Sequence, residues 1–330
     1  MDPVDALTEI AYLLERERSS RYKSKAFRTA AAAITELDPR ILNDPTRLKA
    51  VPGVGDSSFA VIRQALAGEV PERLVELRER NGPKPSALRG MLRGDLHAHS
   101  EWSDGTTSID AMVAGALTLG HEYLALTDHS PRLTVARGLS AERLEEQLGV
   151  VAGFRDDGFR LLTGIECDIN EDGTLDQAPE LLGRLEVVVA SVHSKLKSDP
   201  REMTRRMLAG IRNPHTDVLG HVTGRLVEGS RGTRPGSTFD AEAVFAACAA
   251  EGVAVEINSR PERQDPPDEL IQVALEVGCL FSIDSDAHAP GQLSLLDYGA
   301  ERAERMGVPP ERVVTTWPLD ELLAWTSRSR

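Results

Sequence analysis

Cysteine is scarce in this 330-residue chain, with only Cys167, Cys248 and Cys279, far apart and odd in number. That excludes a disulfide framework and any thiolate zinc spacing, and it reads as reduced, mostly buried residues of a cytoplasmic protein. No apolar run approaches the length needed to span a bilayer, and the opening MDPVDALTEIAYLLERE is acidic and lacks a signal-peptide layout, so no membrane partner is expected. Positive charge is also lacking. The net charge of −14 argues against broad nonspecific nucleic-acid binding. No Gly-x-Gly-x-x-Gly turn follows any strand-like run, which weakens the case for an open doubly wound sheet.

What is present describes an ordinary globular protein, 41% hydrophobic and 27% charged. The length suits one large domain plus a small one. Charge divides unevenly. Residues 1–93 hold 16 Lys+Arg against 13 Asp+Glu, and the remainder 22 against 39. A mildly basic head therefore precedes an acidic body, rich in the side chains a hard-metal site requires.

Residues 1–80 read as a helical domain. DALTEIAYLLERE and SKAFRTAAAAITEL carry apolar residues at three-to-four spacing, and 51-VPGVG-55 is a Gly-x-Gly turn opening a new helix. Residues 81–92, with Gly82, Pro83 and Pro85, read as a linker. From 93 to 330 the pattern changes to short strand-type runs: GDLHAH, YLALTDH, RLLTGIECDI, VVVASVH, DVLGH, VAVEIN and LFSIDSDAH. Helical segments separate most of them. Seven such units predict a parallel sheet with right-handed crossovers, closed as a distorted (β/α)7 barrel.

In such barrels the chemistry gathers at the C-terminal ends of the strands. Six of the eight histidines fall there: His97, His99, His129, His193, His221 and His288. Asp104, Glu166 and Asp286 occupy equivalent places. His121 and His215 precede strands and should lie near the opposite rim. Residues i and i+2 of a strand share a face, so H-x-H and D-x-H each aim two groups at one point. Imidazoles mixed with carboxylates suit Zn, Mn or Fe(II), and nine candidate ligands fit two or three ions. Hydrolysis of a phosphoester is the leading reaction class, with amide or C–N hydrolysis as the chemical competitor.

At these residues the chain resembles the polymerase and histidinol phosphatase (PHP) family, whose four motifs are matched by 97-HAH-99, 127-TDH-129, 191-SVH-193 and 286-DAH-288. The resemblance implies a distorted seven-stranded barrel with three metal ions. His97, His99, Glu166 and Asp286 would bind the first, Asp104, His129 and His288 the second, and Glu166, His193 and His221 the third. A metal-bound hydroxide would be the nucleophile. The stretches 166-ECDINEDGTLD-176, 213-NPHTDVLGHVTGR-225 and 256-EINSRPERQDPPDEL-270 resemble the C-terminal PHP domain of bacterial family X DNA polymerases, some of which act on DNA 3′ ends. Residues 1–80 resemble the helix-hairpin-helix domain that opens those enzymes. VPGVG would place Gly53, Val54 and Gly55 against a DNA phosphate. Only a short linker joins the two regions, so no nucleotidyl transfer is expected. The helix DSSFAVIRQAL has no lysine for Schiff-base lyase chemistry.

Arg225 and Lys195, cations beside the strand ends, are candidate phosphate clamps. Arg132 and Arg137 can border the substrate, Asn258 can orient it, and Trp102 can stack on a base or line the rim. Asp95 shares the face of His97 and His99 and is expected to support them, and Ser108 is the expected N-cap of the next helix. The expected function is metal-dependent hydrolysis at DNA ends, as a 3′-5′ exonuclease or 3′-phosphatase in repair. The alternatives are a small-molecule phosphomonoester phosphatase of the histidinol-phosphatase kind, and a non-catalytic DNA-binding module stabilised by metal.

Overall fold

The computed structural model describes residues 1–82, 86–156, 158–228 and 232–328. Residues 83–85 of the expected linker lie outside the described residues, and Arg89–Met91 forms a 3-10 turn after them. Contacts divide the chain into two compact units, Met1–Pro83 with Pro290–Gln292, and Lys84–Ala289 with Leu293–Arg330.

The first unit is helical because its apolar residues recur on one face of each helix. Leu7, Ile10 and Leu14 of Pro3–Arg16 meet Phe27, Ala30 and Ile34 of Arg21–Thr35, and Leu48, Ile62, Leu74 and Leu77 complete the core. Asp2 caps the first helix by accepting from the Val4 and Asp5 amides, with Pro3 in the first turn. Gly53 has φ +95, and a Cβ there would stand 2.9 Å from Thr29 Cγ2. The turn into Asp56–Leu66 therefore needs glycine twice over.

In the second unit eight strands form one sheet: β1 Gly94–Ala98, β2 Tyr123–Leu126, β3 Arg155–Asp156, β4 Phe159–Asp168, β5 Val187–Ser191, β6 Val218–Leu219, β7 Ala254–Asn258 and β8 Leu280–Asp284. The order is β1-β2-β4-β5-β6-β7-β8, all parallel, and the two-residue β3 pairs antiparallel with the start of β4. This is the expected seven-stranded barrel, nearly closed, with β3 as an addition that the sequence pattern did not suggest.

Closure between β8 and β1 is unusual. The Leu96 amide donates to Asp284 Oδ1 at 2.8 Å, and the Ser285 amide to Asp95 Oδ1 at 3.2 Å. Direct main-chain contact resumes only at Ala98 and Ala287, where the His99 amide donates to the Ala287 carbonyl at 2.7 Å. Side-chain carboxylates thus replace carbonyls along the seam.

The inward faces follow strand parity and change character along their length. Tyr123, Ala125, Leu162, Val187, Val189 and Ala254 pack into one apolar cluster. Two to six residues further on, the same faces carry Thr127 and His129, Glu166 and Asp168, Ser191 and His193, and Glu256 and Asn258. An apolar floor under a polar rim is what puts the site at the strand C-termini.

Candidate metal centre

Glu166 stands at the middle, fully buried, its amide on the Thr127 carbonyl at 3.1 Å. Its Oε2 lies 2.8 Å from His129 Nδ1, 3.3 Å from His97 Nε2 and 3.6 Å from His99 Nε2. Its Oε1 lies 2.7 Å from His221 Nε2 and 3.1 Å from His193 Nε2. Asp286 Oδ1 is 3.4 Å from His99 Nε2, and Asp104 Oδ1 is 3.2 Å from His288 Nε2 and 3.4 Å from His129 Nε2. All nine candidate residues therefore meet in one place. Three groups have donor atoms close enough to share an ion: His97, His99 and Glu166; His99, Asp104, His129 and His288; and His129, Glu166 and His193. Relative to the sets that the resemblance implied, Asp286 is absent from the first group, His99 joins the second, and His129 replaces His221 in the third. His121 and His215 belong to none of them.

The donor set fits divalent ions. His97 Nε2, both nitrogens of His99, and His193 Nε2 are buried without a hydrogen-bond partner, a costly state for polar atoms unless a further group occupies the space. Burial opposes ionisation of Glu166, but His193, His129 and His97 outweigh it and hold its carboxyl well below the usual range. Burial, then His288 and His129, push His99 down to about 3, so it stands neutral, the form in which an imidazole ligates.

A second layer orients these groups. Glu256 Oε1 lies 2.6 Å from His97 Nδ1, and its Oε2 accepts from the His221 amide. Asp168 Oδ1 lies 2.7 Å from His193 Nδ1. Asp128 holds the loop after β1, accepting from the Ser100 amide and hydroxyl, Ser103 Oγ and Gln147 Nε2 at 2.5–2.8 Å. Asn258 Nδ2 donates to Asp286 Oδ2 at 3.2 Å. Asp286 has φ 50°, a left-handed conformation held by Asn258 and by Arg260, which donates to the Asp286 carbonyl at 2.8 Å. The sequence reading missed Glu256, Asp168 and Asp128. The first two were within reach of it, since each lies two residues from another inward group on its strand.

Asp95 accepts from the His97 amide at 3.1 Å, so its support reaches the main chain of β1. Ser108 caps Ile109–Thr118 through the Ala111 amide. Trp102 packs against two core clusters instead of standing free at the rim. Arg132 and Arg137 are exposed.

The cations sort differently from expectation. Arg225 donates from Nε and Nη2 to the Arg263 and Gln264 carbonyls, and Lys195 is exposed on the loop after His193. Arg263 was not singled out, yet its Nε lies 3.3 Å from Asp286 Oδ2. In the first unit, the Val54 amide donates to the Val51 carbonyl and the Gly55 amide to Ser58 Oγ. Of the three hairpin residues, Gly53 is left as the amide without an internal acceptor among the described residues.

A parallel α/β barrel that gathers imidazoles and carboxylates at its strand C-termini has the architecture of a metal-binding barrel. Within that class the chain belongs to the PHP family: residues 95–260 match the PHP domain, and residues 1–70 match a helix-hairpin-helix domain. It is 34% identical over 242 residues to the DNA polymerase/3′-5′ exonuclease PolX of Bacillus subtilis, covering 73% of this chain and 42% of that relative. The chain thus spans less than half the length of PolX. A probable phosphatase of Thermoanaerobacter is 25% identical over 240 residues, covering 67% of this chain and 89% of its own. The crystal structure of a Lactococcus lactis histidinol phosphate phosphatase, complexed with zinc, L-histidinol and phosphate, aligns with a TM-score of 0.45 at 17% identity, over 65% of this chain and 94% of that one. No helix among the described residues is long and apolar enough to cross a membrane.

Proposed function

We propose that the chain hydrolyses phosphoester bonds at nucleic-acid ends, using two or three divalent ions held by His97, His99, Asp104, His129, Glu166, His193, His221, Asp286 and His288. The observation that carries this is the set of buried, partnerless imidazole nitrogens converging on the shared carboxylate of Glu166. The helix-hairpin-helix match and the likeness to PolX direct the reading toward DNA. Divalent ions at such a centre supply Lewis acidity toward a phosphoryl oxygen and make an attacking water more acidic.

The chain's own residues do the rest. Glu256 and Asp168 fix the ring orientations of His97 and His193, keeping Nε2 of each turned toward Glu166. Arg263, with one edge on Asp286, keeps its Nη groups for a phosphate oxygen, while Arg225 holds the carbonyls of that loop in place. Lys195 adds positive charge at the same rim.

The test uses chelator-stripped and Mn²⁺-reloaded protein on nicked or gapped duplex. The reloaded protein is expected to release nucleotides or 3′-phosphate, and the stripped protein and His99→Ala to release none. If DNA stays intact while histidinol phosphate or p-nitrophenyl phosphate is cleaved, the second reading stands: a small-molecule phosphomonoesterase. That reading is favoured by a probable phosphatase of which 89% aligns with this chain.

A further inference from the structure

We infer that the outer face of the helix Pro200–Ile211, with the loop before it, is a track for the phosphate backbone of the nucleic-acid strand whose end enters the centre. The inference rests on the nucleic-acid reading above. Residues 195–212 hold six basic side chains against two acidic ones, inside a body with a large acidic excess. Arg206 is buried and holds the Ile169 and Ser194 carbonyls. The other five, Lys195, Lys197, Arg201, Arg205 and Arg212, are exposed.

Among the described residues none of these five has a carboxylate within ion-pair distance. Elsewhere in the same unit Arg89, Arg93, Arg160, Arg184, Arg302 and Arg305 are all paired. With acids so abundant, five neighbouring cations left open are a feature of the surface and not of the composition.

The placement is directional. Lys195 and Lys197 lie on the loop that follows His193, at the rim where the candidate ligands meet. Arg201 opens the helix, and Arg205 follows one turn on, about 6 Å along the axis. Arg201, Arg205 and Arg212 then line one shallow groove with Thr204 and Asp240. The Asp240 carboxylate is engaged in capping the next helix through the Ala243 amide. Leu208 and Ala209 floor the groove between these cations, and charge spaced along a helix in this way suits the regularly spaced phosphates of a nucleic-acid backbone.

The test compares the full chain with a Lys197→Gln, Arg201→Gln, Arg205→Gln variant. Binding of a single-stranded oligonucleotide is followed by fluorescence anisotropy across a salt series, with p-nitrophenyl phosphate hydrolysis measured in parallel. The slope of log K against log salt should shrink by about 2 for three lost contacts at about 0.7 each, and p-nitrophenyl phosphate turnover should be unchanged. An unaltered slope overturns the track. Binding needs no turnover, so a wild type that binds but leaves DNA ends intact would refute the proposed hydrolysis and not the track.

Discussion

Asp168 offers the cleanest probe of the proposed centre. Its carboxylate touches His193 Nδ1 at 2.7 Å, while its amide is held separately by Ser130 Oγ at 2.9 Å, so side-chain changes leave the strand end anchored. Asp168→Asn keeps the shape and an acceptor oxygen but removes the charge. A hydrogen bond to a charged acceptor contributes about 1.5–3 kcal/mol and a neutral one about 0.5–1.5, so the loss is about 1–1.5 kcal/mol. If His193 spends that energy on holding an ion, affinity falls about tenfold. Asp168→Ala removes the bond entirely and belongs toward the hundredfold end of the range for such supporting groups. The assay titrates Mn²⁺ into stripped protein and follows p-nitrophenyl phosphate hydrolysis. Half-saturation should move by those factors, while the plateau rate is retained. A half-saturation point that does not move, or a loss that no metal concentration restores, would refute the assigned orientation role.

Two predictions concern the frame and not the centre. Cys167, Cys248 and Cys279 are all buried, and burial raises every one of their pKa values, that of Cys279 to about 12. A thiol-disulfide reagent should therefore titrate no thiol in the native protein and three after unfolding, and a fast-reacting native thiol would contradict the packing. His121 is buried with both ring nitrogens unpartnered, and burial together with Arg89 pushes its pKa down to about 3. The folded state then binds fewer protons than the unfolded chain below the ordinary value near 6.5, so stability falls as pH falls through that window. Between pH 7 and 5 the loss is about 2 kcal/mol. Urea unfolding of His121→Leu should show that much less acid sensitivity than the wild type, and identical pH slopes would rule the assignment out.

Strand parity explains both what could be read from the sequence and what was overlooked. The barrel and the convergence of His97, His99, His129, Glu166 and His193 follow from the period of two plus the rule that parallel strands act at their C-termini. Glu256 obeys the same rule, but β7 offered no histidine to draw attention to it. Asp168 lies two residues beyond Glu166 and was absorbed into a motif. Arg225 looked like a substrate clamp because sequence gives position and not partners. Only three dimensions show that its Nε and Nη2 are engaged by the Arg263 and Gln264 carbonyls. Asp128 was hidden for a similar reason: its four donors come from a loop and a helix whose approach no local pattern encodes.

The carboxylate seam between β8 and β1 fixes the order in which this molecule can become active. Asp95 and Ser285 meet across 190 positions of chain, and the H-x-H and D-x-H pairs lie just beyond that junction. Contacts of such separation form late, because loop closure must be accomplished before they return any stabilisation. A nascent chain therefore carries its first two imidazoles through seven further strands, β2 to β8, with no carboxylate of Asp286 beside them. On the proposed function, ion capture would mark finished folding, and a seam held by side chains in place of a continuous ladder is where ion-free protein should open first.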